Sequence, residues 1–498
     1  MPTSGAIKIY FSDYFGVSRN ELDEAGAFDV SLINDLPLFI DPFLLFNSHR
    51  PEYKRLHDEM IRYLRFLRDK SVDGELDDGL LRAWFMFSEV RQTWLGFSES
   101  GNDGRGLGMD FARALNANLN KVFTNFGNEQ VTKGSHLEKL CLIGSGVGRD
   151  NISDFTTNLI KEYLLDYTQA FAKKHIRRGF KRVVTVEKVR FKYETETWER
   201  GSYTLPYFNG DYVLLTPADI LTRDETWINR YDMVHDFERI AVAVPDEQLR
   251  AQINNYFMKH LPKRPTPKDR RELAARIYRE FPELLEYYIR YKEDNGDQAV
   301  ATSEEQVTET KLLYIEQLEE FVRVLNRLTG FYGTTGTTLE ESRARVMFLK
   351  DVIENKGGHR LFYLNGQPVR REPDLHILFR LTWFATPSDV SREVNDGRGP
   401  ADFKVSRGSL DKTLVEFKLA SNPQLERNLK NQVSIYQKAS DAKNALKVIV
   451  FFSSSERVRV TEILRKLKLK TNPDIILIDA RRDNKPSASK ATSVEPSD

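Results

Sequence analysis

Two short stretches near the carboxyl end of the chain alternate between apolar and polar side chains. In TLVEFKLA, residues 413–420, Glu416 and Lys418 occupy every second position between apolar residues. In ADFKV, residues 401–405, Asp402 stands between apolar neighbours in the same way. Side chains two residues apart lie on the same face of a β-strand. The pattern therefore predicts two strands, each with one apolar face and one charged face.

The elements around these two strands follow a regular order. A helix and a strand precede them, and a helix, a strand, a helix and a strand follow, in DLHILFRLTWF, DVSREV, PQLERNLKNQVSIYQKAS, LKVIVFF, ERVRVTEILRKLKLK and DIILIDA. Short apolar strands that alternate with helices indicate an α/β domain. We assign this domain to residues 366–480 and predict a mixed sheet flanked by helices. The polar tail 481–498, rich in proline and serine, is expected to be disordered.

The preceding part of the chain is predicted to be a large, mostly helical α+β region. Apolar residues recur at three- and four-residue steps in YKRLHDEMIRYLRFLRDK and ETKLLYIEQLEEFVRVLNRL, which is the spacing of amphipathic helices. Strand-like runs such as RVVTVEKVRFKYE and DYVLLTP lie between them. Shifts in composition and stretches rich in proline or glycine predict an α+β domain at 1–135, a second α+β domain at 136–261 and a helical region at 262–365.

The composition narrows the class of protein. The chain has 498 residues, a formal net charge of +1 and a single cysteine, Cys141, so an intrachain disulfide is excluded. The balanced charge means that contacts with nucleic acid must come from local basic patches. The amino terminus lacks the pattern of a secretion signal, and no apolar run has the length of a membrane span. We therefore expect a soluble cytoplasmic protein without a membrane partner.

The charged faces of the two strands indicate a specific chemistry. If the strands are neighbours in a hairpin, Asp402 and Glu416 lie side by side, and two unpaired carboxylates repel each other. A divalent cation removes that cost, because Mg²⁺ binds one or two carboxylates together with substrate phosphate. Lys418, about 6.6 Å further along the strand, is placed to neutralise phosphate or to assist the attacking water. This arrangement predicts metal-assisted phosphodiester hydrolysis. The alternative interpretation is a solvated strand face with a cross-strand ion pair.

Asp402, followed after thirteen residues by Glu416-Phe417-Lys418, resembles the Asp…Glu-x-Lys signature of the PD-(D/E)XK nucleases, the restriction-endonuclease-like superfamily. The predicted order of elements is similar to the core of that family. Gln432 and Tyr436 in QVSIY are similar to the Gln-x-x-x-Tyr motif of its exonuclease-like branch. The resemblance implies that Asp402 and Glu416 bind Mg²⁺ or Mn²⁺ and that Lys418 is catalytic. It also implies that Gln432 and Tyr436 orient the substrate and the metal shell.

Two further carboxylates are candidates for the same site. Glu393, on the strand before, is a possible further metal ligand, or else a partner of a neighbouring arginine. Glu372, before the first helix of the domain, is a weaker candidate. The proline that names the family is displaced, because Ala401 stands between Pro400 and the aspartate. The resemblance covers residues 366–480 and nothing upstream.

Basic residues supply candidate contacts with nucleic acid. One cluster, KKHIRRGFKR, lies in the second predicted domain, and two more cations lie beside the predicted strands. A solvated surface is the alternative for each. The candidates are Lys173, Lys174, Arg177, Arg178, Arg398 and Lys404.

Together these patterns predict a Mg²⁺-dependent nuclease that hydrolyses DNA, with an amino-terminal region for recognition or regulation. Analogy with nucleases of similar layout suggests a role in bacterial antiphage defence. The alternatives are a DNA repair or processing exonuclease, and a non-catalytic nucleic-acid-binding protein with a nuclease-like fold. DNA is the expected partner, and a regulatory protein partner or a homo-oligomer is possible. The histidines lack the spacing of a zinc site, and no serine or cysteine nucleophile motif occurs.

Overall fold

The computed structural model describes most of the chain, with gaps. The described residues are 8–72, 76–96, 107–122, 129–143, 149–223, 225–262, 265–327, 336–364, 366–369, 371–372, 374–376, 379, 383, 389–391, 403–407, 411–430 and 444–485. They form two compact units, one of Met1–Ser98 with Asn102–Thr308 and the other of Glu309–Asp498. No helix in the described ranges combines the length and the apolar character needed to cross a membrane.

The first unit is mainly helical. Its helices are α1 (Phe11–Phe15), α2 (Arg19–Ala25), α3 (Pro42–Phe46), α4 (Pro51–Val72), α5 (Asp78–Leu80), α6 (Met109–Val122), α7 (Lys139–Ile143), α8 (Arg149–Leu159), α9 (Lys161–His175), α10 (Arg230–His235), α11 (Phe237–Ala243), α12 (Glu247–His260), α13 (Pro267–Glu280), α14 (Glu283–Asp294) and most of α15 (Gly296–Lys311). Its strands are β1 (Phe39–Ile40), β2 (Lys181–Lys192), β3 (Thr197–Phe208), β4 (Asp211–Tyr212) and β5 (Leu221–Thr222). Strands β2, β3 and β4 form an antiparallel sheet, and β1 pairs with β5.

Helix α14 is tied to the loop before α7 by buried and half-buried charges. Glu293 accepts a hydrogen bond from His136 Nε2 at 2.8 Å, and neither side chain is exposed. The backbone N–H groups of Lys133 and Gly134 also donate to this carboxylate. One face of a helix repeats every seven residues, and Glu286, seven residues before Glu293, accepts from Lys139 at 2.7 Å. These contacts fix the helix through its polar side.

Two carboxyl groups of the first unit are buried next to each other. Asp41 accepts hydrogen bonds from the backbone N–H groups of Phe43 and Trp227, and burial raises its pKa to about 6. Burial, followed by the neighbouring charge of Asp41, raises the pKa of Glu138 well above its usual range. Two adjoining acids in an apolar setting hold a proton that they would release in water.

The second unit is an α/β domain. Its helices are α16 (Leu318–Arg327), α17 (Thr338–Asn355) and α18 (Ser454–Lys466), with a π-helical turn at Leu312–Gln317. Its strands are β6 (Tyr363–Leu364), β7 (Gln367–Pro368), β8 (Asp389–Ser391), β9 (Phe403–Arg407), β10 (Asp411–Leu419), β11 (Asn444–Phe451) and β12 (Ile475–Asp479). Five of them form one sheet in the order β12–β11–β10–β9–β8, in which β8, β9 and β10 are antiparallel and β10, β11 and β12 are parallel. The predicted α/β class with a mixed sheet flanked by helices is confirmed.

Helices cover both faces of this sheet. On one face α17 packs against β9, β10, β11 and β12, and Thr338 bonds Thr413 at 2.8 Å between their hydroxyl oxygens. On the other face, side chains of α18 share a core with Ile449 and Phe451 of β11. The alternation of side chains along β10 and β11 separates these two cores.

A buried carboxylate joins α17 to the sheet. Glu341 and Arg345 are fully buried and lie one helical turn apart, with Arg345 Nε 3.1 Å from Glu341 Oε1. Arg407 of β9 donates to the other oxygen of Glu341 at 2.6 Å. Removing one member of a buried charge group leaves the remaining charges uncompensated.

We expect Glu341→Ala to lower the free energy of unfolding of the second unit by about 3 kcal/mol, because two arginines lose their shared partner. Hydrogen–deuterium exchange of peptides from β9 and β10 in increasing urea measures this change. Lys466→Ala is the control, since its pair with Glu426 is largely exposed and contributes about 0–1 kcal/mol. Equal effects of the two substitutions would contradict the assignment.

The acid pair of the first unit predicts that stability falls as the pH rises. An acid whose pKa is raised on folding binds its proton more tightly in the folded state. Stability is therefore greatest at low pH and is lost between the unfolded and folded pKa values, for Asp41 between 3.8 and about 6. For each additional proton that the folded state binds, the free energy of unfolding falls by about 1.4 kcal/mol per pH unit as the pH rises through this window.

Glu138→Gln removes one of the two titrating acids, so we expect unfolding free energy to decline less between pH 5 and 8 than in the wild type. Urea unfolding followed by tryptophan fluorescence measures this, since four of the five tryptophans lie in the first unit. The control is Glu247→Gln, at a side chain 90% exposed. A decline as steep as that of the wild type would refute the role of the pair.

Candidate active site on the central strand

The candidate site lies on β10, the middle strand of the mixed sheet. Glu416 and Lys418 project from one face of β10, while Val415, Phe417 and Leu419 project from the other. The side chain of Glu416 is only 6% exposed and that of Lys418 14%. Both charges are thus held in the interior, where a charge requires a partner.

Lys418 lies between two carboxylates. Its Nζ is 3.5 Å from Oε1 of Glu416 and 3.4 Å from Oε2 of Glu372. Glu372 is itself held in place, because Asn422 Nδ2 donates to its Oε1 at 2.6 Å and the N–H of Leu419 donates at 3.4 Å. The weaker of the two additional carboxylate candidates is therefore in direct contact with the candidate catalytic lysine.

A second lysine reaches Glu416 from the neighbouring strand. Strands β10 and β11 pair in parallel with Glu416 opposite Lys447, so both side chains lie on the same face. Lys447 Nζ is 3.9 Å from Oε2 of Glu416, and its side chain is 11% exposed. Burial lowers the pKa of Lys447, the charge of Glu416 opposes that shift, and the charge of Lys418 adds to it. Each oxygen of the Glu416 carboxylate thus faces a different ammonium group.

Lys447 did not appear among the residues expected from the sequence. The signal that points to it is its position in LKVIVFF, where it is the one charged residue of a strand with apolar side chains on both faces. A strand inside a parallel arrangement is normally apolar throughout. A lysine there requires a specific partner, which the register identifies as Glu416.

Of the remaining predicted site residues of the second unit, Lys404 is described and the others lie outside the described ranges. Lys404 pairs with Leu414 across β9 and β10, is half-buried, and lies on the same sheet face as Glu416. The residues outside the described ranges are Asp402, Glu393, Arg398, Gln432 and Tyr436.

The carboxylates described at the candidate site are oxygen donors, the type of ligand that a hard divalent cation takes. Among the residues that the structure describes, no group of three or more His, Cys, Asp or Glu side chains is placed to hold a metal ion. Glu416 and Glu372 nevertheless supply two carboxylates on either side of one lysine. Mg²⁺ and Mn²⁺ take oxygen ligands, and Mg²⁺ is often bound by one or two carboxylates, water and phosphate. Glu416 and Glu372 therefore have the donor chemistry that such an ion takes, although the two of them alone do not form a complete metal site.

The basic cluster predicted in the first unit contains four exposed cations. Lys173 and Lys174 lie in the last turn of α9, and Arg177 and Arg178 follow after the buried Ile176. All four side chains are exposed, and no carboxylate in the described ranges forms an ion pair with any of them. Cations at the carboxyl end of a helix are favoured by the helix dipole. The end of α9 and the residues that follow it therefore present positive charge to solvent.

Comparison with known proteins gives two matches, both to domains of unknown function. One family model (DUF8370) matches residues 16–229, and another (DUF8371) matches residues 338–454. No curated protein and no solved structure matches the chain significantly. The first match contains the basic cluster, and the second contains Glu372, Glu416, Lys418 and Lys447.

Proposed function

We propose that the chain is a metal-dependent nuclease that hydrolyses phosphodiester bonds in DNA. The observation that supports this most is the lysine held between two carboxylates on the central strand, with Lys418 Nζ 3.4 Å from Glu372 and 3.5 Å from Glu416. An amine and carboxylates on one buried sheet face form a suitable surface for a divalent ion and a phosphate. We further propose that the mixed sheet has the restriction-endonuclease-like fold.

In this proposal the carboxylates hold Mg²⁺ or Mn²⁺. Glu416 and Glu372 are the described ligand candidates, and Asp402 and Glu393 are the proposed additions. The antiparallel pairing of β9 and β10 ends with Phe403 opposite Val415. Asp402 is included in the proposal because it directly precedes Phe403 in the sequence. The bound ion would polarise a phosphoryl oxygen and lower the pKa of its water.

The other residues act on the substrate. Lys418 stabilises the charge that develops on the phosphate oxygens, because its ammonium group is partly desolvated and fixed by two carboxylates. Gln432 and Tyr436 are proposed to orient the substrate. Arg398 and Lys404 are proposed to contact phosphate. The first unit would recognise the target or regulate the nuclease, and a function in antiphage defence rests on analogy alone.

Cleavage of supercoiled and linear DNA with Mg²⁺ or Mn²⁺ tests the proposal. We expect Lys418→Ala and Glu416→Gln each to lower the cleavage rate at least about 100-fold, the usual effect of removing a group that stabilises transition-state charge. EDTA should abolish cleavage. Lys412→Met, on the same strand, is the control and should leave the rate unchanged.

Cleavage that survives both site substitutions would rule out this site. Absence of cleavage by the wild type with either metal would favour the non-catalytic alternative. Preference for linear DNA over supercoiled DNA would favour the repair or processing exonuclease.

The exposed basic cluster specifically supports the alternative of nucleic-acid binding without turnover. In EDTA, we expect replacement of Lys173, Lys174, Arg177 and Arg178 by glutamine to weaken binding of a DNA duplex about tenfold or more. The slope of log affinity against log salt should decrease by about 0.9 for each phosphate that the variant no longer neutralises. Fluorescence anisotropy over a salt series measures both quantities.

The control for this binding experiment removes the same number of exposed cations elsewhere in the first unit. It carries glutamine at Lys259, Lys268, Arg271 and Arg279, all of which are exposed. If the two quadruple variants lose affinity equally, the binding reflects net charge and the cluster has no special role.

A further inference from the structure

Lys447 is a charged side chain at the candidate site. It belongs neither to the predicted motif nor to the reaction proposed for Lys418. It comes from β11, is 11% exposed, and lies 3.9 Å from the carboxylate of Glu416. Its Nζ is buried and has no hydrogen-bond partner among the described residues. A buried ammonium group without hydrogen bonds is expensive, so a role beyond packing is indicated.

The geometry makes Lys447 a competitor for the same carboxylate that would bind a metal ion. A divalent ion on Glu416 lies about 2.1 Å from a carboxylate oxygen. Because the two oxygens of this carboxylate are 3.5 and 3.9 Å from the ammonium groups of Lys418 and Lys447, the ion must enter a region of positive potential. Both ammonium groups therefore oppose the ion until an anion offsets them.

We propose that Lys447 is a positioning residue that holds Glu416 and keeps the affinity of the site for a divalent ion low until a substrate phosphate binds. The inference rests on the proposed function, since it concerns the same site. The phosphate brings the negative charge that the two lysines require, and it supplies oxygen ligands to the ion. Metal and substrate thus bind cooperatively, and free metal occupies the site poorly.

The size of the effect follows from Coulomb's law. Even with the dielectric constant of water, a unit charge about 6 Å from a divalent ion raises its energy by about 1.4 kcal/mol, a factor of ten in affinity. The partly buried surroundings reduce screening, so tenfold is the lower expectation. The charge of Lys418 also lowers the affinity of the site for the ion, but its proposed role is in the reaction itself.

Direct binding of Mn²⁺ at pH 7, measured by electron paramagnetic resonance without DNA, tests the inference on the full-length protein. The signal that is lost in Glu416→Gln defines the site. We expect Lys447→Met to bind Mn²⁺ at this site about tenfold or more tightly than the wild type does. Lys447→Arg should behave as the wild type, because it restores the positive charge.

Two further variants keep the experiment decisive. Lys412→Met removes a lysine from β10. This lysine lies on the same sheet face as Glu416 and about 13 Å from it along the strand, so its removal should change the affinity for Mn²⁺ less than twofold in 0.15 M salt. Lys447→Gln, which keeps a polar group without the charge, replaces the methionine variant if circular dichroism shows that the latter is unfolded.

The outcomes separate this inference from the proposed function. Unchanged or weaker Mn²⁺ binding by Lys447→Met, at a site that Glu416→Gln abolishes, would overturn the role of Lys447 and leave the nuclease proposal standing. Tighter binding by both Lys447→Met and Lys447→Arg would also overturn it, because charge would then not be the cause. Failure of the wild type to bind Mn²⁺ at Glu416, with or without a DNA oligonucleotide, would overturn both proposals.

Discussion

The burial of one carboxylate, that of Glu416, constrains the centre of the second unit. An isolated charge in a protein interior costs several kcal/mol, and here two lysines compensate it, one from the same strand and one from the parallel neighbour. This compensation depends on register, because a shift of one residue between the strands would move Lys447 to the opposite face. The charge balance of the candidate site therefore depends on the register between β10 and β11.

Elsewhere the protein compensates buried carboxylates in two different ways. Glu341 is matched by two arginines, as Glu416 is matched by two lysines. Asp41 and Glu138 instead adjoin each other, and burial raises the pKa of both groups, so that protonation offsets part of the cost of burying them. The distinction bears on the proposed function, because a carboxylate paired with ammonium groups could exchange them for a metal ion and phosphate. A carboxyl group that retains its proton is a poor ligand for such an ion.

The exposed basic cluster and the charges around Glu416 lie in segments that match two different family models. The exposed cations at the end of α9 and just after it form no ion pair with a carboxylate in the described ranges, whereas the charges around Glu416 are all paired and largely buried. The first arrangement suits long-range attraction of a polyanion, and the second suits a defined local reaction.

The sequence by itself determined the strands and their faces. Alternation in TLVEFKLA placed Glu416 and Lys418 together on one side, and β10 has that arrangement because a period of two is local geometry. The α/β class followed from the order of elements. Which charges meet across the sheet was decided only by tertiary structure. Lys447 lies 31 residues beyond Glu416 along the chain, and parallel register, a long-range property, brings them to 3.9 Å. Glu372 likewise reaches Lys418 through the packing of a segment whose local pattern contains no information about its distance from the sheet.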